Sequence, residues 1–120
     1  MDYRIIGIDN RKYIELLSVS SPICTEQDAL DLIALCWEHD SKELMIHHEV
    51  FSEDFFQLKT KVAGNIIQKL TNYNIRVAAI VPRETTQTGR FKEMALETNV
   101  GNHFRLFEYK KEAEAWLLHG

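Results

Sequence analysis

The chain has 120 residues, of which 45% are hydrophobic and 27% charged, the ordinary balance of one globular domain without a second core. Fourteen Lys and Arg against eighteen Asp and Glu give a net charge of -4, which argues against a partner such as nucleic acid or anionic lipid. No apolar run approaches the roughly 20 residues that a membrane span needs. We therefore expect a cytoplasmic protein with a single domain over residues 1–120.

The first two predicted elements are strands joined by a short turn. Residues 3–8 and 12–19 are rich in β-branched and aromatic side chains, and Asp9-Asn10-Arg11 between them has turn chemistry. So short a connection predicts an antiparallel hairpin whose first strand lies at the sheet edge. Because that strand carries few charges to discourage pairing, we also expect a homodimer.

A helix is predicted from about residue 26 to residue 38. Thr25 is placed to cap it by accepting a hydrogen bond from the amide of Asp28. Apolar residues recur at helical spacing and predict a face buried against the sheet: Leu30, Ile33, Ala34 and Trp37, widened by Leu32 and Cys36. Cys36 is interpreted as a small core residue rather than a nucleophile.

Strands and helices alternate through the rest of the chain. Strands are predicted over 43–48, 76–81 and 103–109, and helices from about 55 or 59 to 72, over 90–98 and over 110–118, with an exposed loop at 82–89. The helix that ends at residue 72 is predicted to face inward with Val62, Ala63, Ile66, Ile67 and Leu70. The last helix is predicted to face inward with Ala113, Trp116 and Leu117. Gly64 lowers the helix propensity by about 1 kcal/mol, which predicts a compensating close approach of another backbone.

Residues 77–81 are apolar on both faces, which predicts a parallel strand covered by helices above and below. The alternation as a whole predicts an α/β fold with a mixed, mostly parallel sheet of about five strands, helices packed on it, and an antiparallel N-terminal edge strand.

Several segments, in their order and spacing, resemble a known family. They are Phe55-Phe56-Gln57-Leu58-Lys59-Thr60, Ala63-Gly64, Gln68-Lys69, Asn72-Tyr73, Glu97-Thr98-Asn99-Val100-Gly101, and Glu112-Ala113 with Leu117. Together they resemble the bacterial family called domain of unknown function 4180. The layout is similar to the STAS, or SpoIIAA-like, fold of anti-sigma-factor antagonists. That resemblance implies binding of a protein or a small ligand and implies no activity.

The carboxyl ends of parallel strands form the edge at which α/β sheets bind ligands. Here that edge is predicted to include Ser20-Ser21, His47-His48-Glu49, residues 83–86 and Tyr109-Lys110. His47 and Glu49 are therefore candidate ligand-binding residues. A metal site is not predicted, because adjacent histidines of a strand point to opposite faces and zinc needs three or four converging ligands.

The remaining candidates lie at the predicted ends of helices. Lys59 and Thr60 lie at a helix start, where a cation opposes the helix dipole, and Lys59 can pair with Glu49 or Glu97 or hold an anionic ligand. Glu97 opposes the dipole at a helix end, beside Asn99 in the following turn. Ser52 lies near the position that antagonist proteins of the resembled fold phosphorylate, although Ser before two acids is also a good helix cap.

The sequence contains no nucleophile elbow, phosphate-binding glycine loop or His-Glu-x-x-His motif, and we predict no catalytic residue, metal or cofactor. The first functional hypothesis is a binding or regulatory module that acts through a protein partner or a small molecule. One alternative is a carrier of an amphipathic or anionic ligand beneath Phe55-Phe56, with Lys59 at its head. The other is an enzyme with Glu97 as general base, Lys59 as electrostatic stabiliser and His47 as proton carrier.

Overall fold

Five strands and three helices lie in the part of the chain that the computed structural model describes, residues 2–8, 10–19, 22–51, 62–81 and 103–119. In chain order they are β1 (Asp2–Ile8), β2 (Arg11–Ser18), α1 (Glu26–Glu38), β3 (Glu43–His47), a 3-10 turn (His48–Val50), α2 (Val62–Asn72), β4 (Arg76–Ile80), β5 (Phe104–Phe107) and α3 (Lys110–His119). The predicted loop at 82–89 and helix at 90–98 lie outside the described residues.

The five strands form one mixed sheet in the order β1-β2-β3-β4-β5. β1 pairs antiparallel with β2, with Ile5 opposite Ile14, and the pairs β2-β3, β3-β4 and β4-β5 are parallel. Asn10, in the turn between β1 and β2, has a φ of 68°, the left-handed conformation that Asn tolerates well. These observations confirm the predicted α/β class, the parallel strands and the antiparallel edge hairpin.

Both faces of the sheet are covered by helices. One face packs on α1 and α2, and its strand residues are Ile14, Leu16, Leu44, Ile46, Val77, Ala79, Phe104 and Leu106. The opposite face packs on α3, which inserts Ala113 and Leu117 against Tyr13, Met45 and Ala78. Because successive strand residues point to opposite faces, each strand supplies both layers. No helix in the described ranges is long and apolar enough to span a membrane.

β4 is an interior strand with both faces buried. Val77 and Ala79 face α1 and α2, whereas Ala78 faces α3, and all three are fully buried. The prediction of a strand enclosed between helices is confirmed. On α3, Ala113 and Leu117 are buried and Trp116 packs partly against the same layer, as predicted.

The cap of α1 is confirmed, but part of its predicted buried face is wrong. Thr25 Oγ1 accepts from the Asp28 amide at 3.2 Å, and the Asp28 carboxylate accepts from the Thr25 amide at 3.0 Å. The buried positions are Ala29, Leu32, Ile33, Leu35 and Cys36. That face is rotated away from the predicted one, so that Ala34 is exposed and Trp37 has 61% of its surface exposed. Sequence spacing alone fits both faces, and the contacts with the sheet select one of them.

α2 buries Ile66 and Leu70, with Ile67 packed partly against the core, as the spacing predicts. The side chains of Val62 and Ala63 lie outside the described residues. Among the described residues the close approach expected at Gly64 is not found, since a Cβ added there would meet none of their atoms within 4 Å.

The amino ends of the strands are tied to the end of α3. The Arg76 guanidinium donates to the Glu43 carboxylate at 3.1 Å and to the Trp116 carbonyl at 3.2 Å, and Arg11 donates to the Leu118 carbonyl. The pKa of Glu43 is raised, because the effect of burial is larger than the opposing effect of the charges of Arg76 and Arg11. Since cations here meet the carbonyls of a helix C-terminus, these contacts hold α3 against the sheet.

Candidate functional site

A buried carboxylate with three basic partners lies toward the carboxyl edge of the sheet, on the face that α3 covers. The carboxylate belongs to Glu15 of β2, whose surface is only 1% exposed. Its Oε1 accepts from Arg4 Nε at 2.8 Å and from Lys110 Nζ at 3.1 Å, and its Oε2 is 2.8 Å from His47 Nε2. We call Arg4, Glu15, His47 and Lys110 the Glu15 cluster.

Strand register brings these four residues together. Arg4 of β1 is the direct cross-strand partner of Glu15. In β3, Met45 lies beside Glu15, and His47, two residues further, points to the same face. Lys110 is the first residue of α3, which starts where β5 ends, so its side chain reaches back across the sheet. Four separate elements therefore converge on one carboxylate.

The charges of the cluster favour an ionised Glu15. Burial raises the pKa of its carboxyl, but the hydrogen bonds from His47, Lys110 and Arg4 together outweigh burial, so the pKa lies below its ordinary value. Because a carboxylate only accepts hydrogen bonds, the His47 Nε2 must carry a proton toward it. Glu15 is therefore an anchor that orients three basic side chains.

The basic groups keep binding capacity beyond Glu15. Arg4 and Lys110 are exposed, and His47 is partly exposed. Only Nε of the Arg4 guanidinium contacts Glu15, and an ammonium has three N–H donors, so each cation retains donors for another acceptor. One carboxylate in the cluster faces Arg4, Lys110 and the imidazole, and the carboxylate of Glu114 lies beside the cluster on the Tyr13 hydroxyl. This arrangement can bind an anion.

Of the residues predicted for the site, the structure brings His47 into the Glu15 cluster and leaves Glu49 outside it. Glu49 is exposed, and its Oε1 lies 3.4 Å from Nδ1 of His48 in the 3-10 turn. His47 and His48 thus lie beside different acids and do not converge. The candidates Ser52, Lys59, Thr60, Glu97 and Asn99 all lie outside the described residues. Within the described ranges, no three His, Cys, Asp or Glu side chains are grouped so that they could hold a metal ion.

Sequence reasoning missed Arg4 and Glu15 and placed Lys110 only at the general edge. One signal was available: Glu15 interrupts the run Tyr13-Ile14-Glu15-Leu16-Leu17, in which every neighbour is apolar. An acid in such a strand is buried with partners or faces water. Its partners could not be read from the sequence, because Lys110 is 95 residues away.

Two further groups border the cluster. The Tyr13 hydroxyl, two residues before Glu15 on the same face, donates to Glu114 of α3 at 2.5 Å. The pKa of Tyr13 is raised mainly by burial, and the hydrogen bond to Glu114 and the charge of Glu114 raise it further. Tyr13 therefore stays a neutral donor, and it fixes α3 beside the cluster.

Comparison with known proteins gives one match. The family model described as Domain of unknown function (DUF4180) matches residues 8–117, a range that includes Glu15, His47 and Lys110. No curated protein and no solved structure matches the chain.

Proposed function

We propose that this protein, which belongs to the DUF4180 family, is a small binding module. It acts without catalysis and takes a small anionic ligand at the Glu15 cluster. The observation that carries the proposal is the convergence of Arg4, His47 and Lys110 on one buried carboxylate. The ligand class follows from the donors: a carboxylate or a phosphate group.

The cluster is ordered before any ligand arrives. Glu15 holds the three basic groups at 2.8 to 3.1 Å, so less side-chain entropy is lost when an anion binds. Glu15 itself is a poor general base, because both of its oxygens already accept hydrogen bonds from basic groups. These properties favour recognition over chemistry.

The test is a titration of the purified protein with inorganic phosphate and with succinate, against sodium chloride at equal ionic strength. We expect both to raise the melting temperature, and calorimetry to show affinity falling about tenfold in Lys110→Met, the loss expected for a charge-assisted hydrogen bond. Lys12→Met, at the exposed amino end of the strand that carries Glu15, is the matched control and should bind normally. Equal weakening by both variants, or no binding by the wild type, would contradict the proposal.

The finer fold assignment is part of the same proposal. The sequential strand order and the repeated strand-helix units support a STAS-like, SpoIIAA-like architecture, in which binding of a protein or small ligand is the common role.

Cys24 and Cys36 are free thiols, and Cys36 is buried. Free thiols are typical of a reducing compartment and support a cytoplasmic location.

The two alternative functions stay predictions. The carrier depends on residues 55–59 and the enzyme on Lys59 and Glu97, and all of these lie outside the described residues. Native mass spectrometry of freshly purified protein tests the carrier, which requires a bound lipid-like or anionic mass. Turnover that disappears in Glu97→Gln would favour the enzyme over the binding module.

A further inference from the structure

The C-terminal end of α1 presents an exposed aromatic pair on the face opposite the Glu15 cluster. Trp37 is 61% exposed, and the exposed Tyr73, just after α2, lies against it with the ring centroids 5.6 Å apart and the planes at 68°. Exposed tryptophan is unusual in a folded domain, and Trp and Tyr are the side chains that contribute most at interfaces. We call Trp37 and Tyr73 the aromatic patch.

Acidic residues predominate along α1, although Lys69 lies in the last turn of α2, before Tyr73. Residues 26–40 contain five acids and neither Lys nor Arg: Glu26, Asp28, Asp31, Glu38 and Asp40. Glu38 and Asp40 flank Trp37 and are exposed, and within the described part of the chain neither forms an ion pair. The last turn of α1 contains no basic residue, so its C-terminal carbonyls add to the negative potential.

We propose that the aromatic patch binds a basic segment of a protein partner, with an arginine stacked on Trp37 and paired with Glu38 or Asp40. Guanidinium planes stack on indole and pair with carboxylates better than ammonium groups do. The other tryptophan of the chain shows the same contact internally, since the Arg76 guanidinium lies 4.2 Å from the Trp116 ring centroid. The exposed acids Glu38 and Asp40 disfavour nucleic acid and anionic membranes beside Trp37.

This interaction is separate from the proposed anion site. The aromatic patch lies at the ends of α1 and α2, whereas the Glu15 cluster lies on the face covered by α3. The two surfaces also share no residue, so failure of one proposal leaves the other standing.

The test uses an acetylated, amidated peptide of three Gly-Arg repeats, titrated into the Trp116→Phe variant so that Trp37 is the only tryptophan. We expect a saturable change in Trp37 fluorescence. Calorimetry, in which Trp37→Ala is compared with the wild type, should show that the variant binds the peptide about fivefold more weakly, the loss expected for one cation–π contact. The double variant Glu38→Gln with Asp40→Asn should also bind more weakly and lose most of its salt dependence.

The matched control is Tyr109→Ala, which removes an aromatic side chain that is 64% exposed at the start of α3. It should bind the Gly-Arg peptide normally, and a Gly-Glu peptide should not bind the wild type. No binding by the wild type, or equal weakening in Tyr109→Ala and Trp37→Ala when both keep their melting temperatures, would overturn the proposal.

Discussion

A carboxylate removed from water costs several kcal/mol unless it is paired, and Glu15 has three basic partners. The two members of each ion pair differ in exposure: Glu15 is buried, whereas Arg4 and Lys110 reach water. Loss of the acid therefore leaves two solvated cations and an imidazole close together. Loss of one cation leaves a buried charge with two partners, which is a smaller change.

Glu15→Gln is predicted to lower the free energy of unfolding by about 2 kcal/mol at neutral pH, because it removes charge-assisted hydrogen bonds from partly solvated cations while keeping the shape of the side chain. The folded-state pKa of Glu15 lies below its ordinary value of 4.5. Its stabilisation is therefore complete above about pH 4.5 and is lost as the pH falls through the folded-state value.

Urea unfolding of the wild type and of Glu15→Gln across the acid range measures this difference directly. The gap between the two unfolding free energies should be constant near neutral pH and should narrow in acid. A gap of the same size at every pH would show that the difference in stability does not come from the charge of Glu15.

At the scale of elements, the strands were more predictable than the orientation of the helices. β4 could be predicted because Val77, Ala78 and Ala79 are apolar on both faces, and this pattern fits few other structures. The face of α1 was predicted only in part: Leu32, Ile33 and Cys36 are buried as expected, but Ala34 and Trp37 are exposed. The residues of the predicted stripe have the same spacing as the buried set one position earlier. The contacts that choose between two such faces are long-range.

The same limit applies to the candidate site. His47 could be placed at the carboxyl edge because it is the last residue of a recognisable strand. Lys110 could be placed there because it comes soon after the last strand. The position of Arg4 could not be predicted, because its place beside Glu15 depends on the register of the hairpin. The structure pairs Ile8 with Arg11, whereas the predicted turn included Arg11 and left the register open. A one-residue change of register moves a side chain to the other face.

Gly64 provides a prediction for α2. It is exposed, and a Cβ at this position meets no atom of the described residues within 4 Å, so Gly64→Ala should raise the free energy of unfolding by about 1 kcal/mol. Ala34→Gly on the exposed side of α1 is the converse control and should lower the free energy by a similar amount. Thermal or urea unfolding of the two variants measures both. A destabilised Gly64→Ala would mean that this turn of α2 needs the freedom of glycine.

At the scale of the whole molecule, the two proposed surfaces offer different chemistry on opposite faces. The Glu15 cluster offers basic donors on the α3 face, where the Glu114 carboxylate also lies, and α1 offers acids on the opposite face. Such a division allows an anionic ligand and a basic protein segment to bind at once, without competing for the same side chains.

The sheet also has an open edge at β1, and the predicted homodimer depends on it. β1 pairs only with β2 among the described strands, so the other side of its backbone is available for pairing. Antiparallel pairing of two β1 strands about a twofold axis would join two sheets and keep both α3 faces on the same side. Since Arg4 lies on β1, the two Glu15 clusters would then be neighbours.

Ile5→Lys is predicted to shift the protein from dimer to monomer, because a lysine on an edge strand opposes strand pairing and Ile5 is 39% exposed there. Leu17→Lys is the matched control, since Leu17 is 38% exposed but belongs to β2, which already pairs on both sides. Light scattering coupled to size-exclusion chromatography, over a wide range of protein concentration, measures the mass of each. A wild type that is monomeric throughout, or a Leu17→Lys variant that dissociates as readily as Ile5→Lys, would show that β1 does not form the contact between copies.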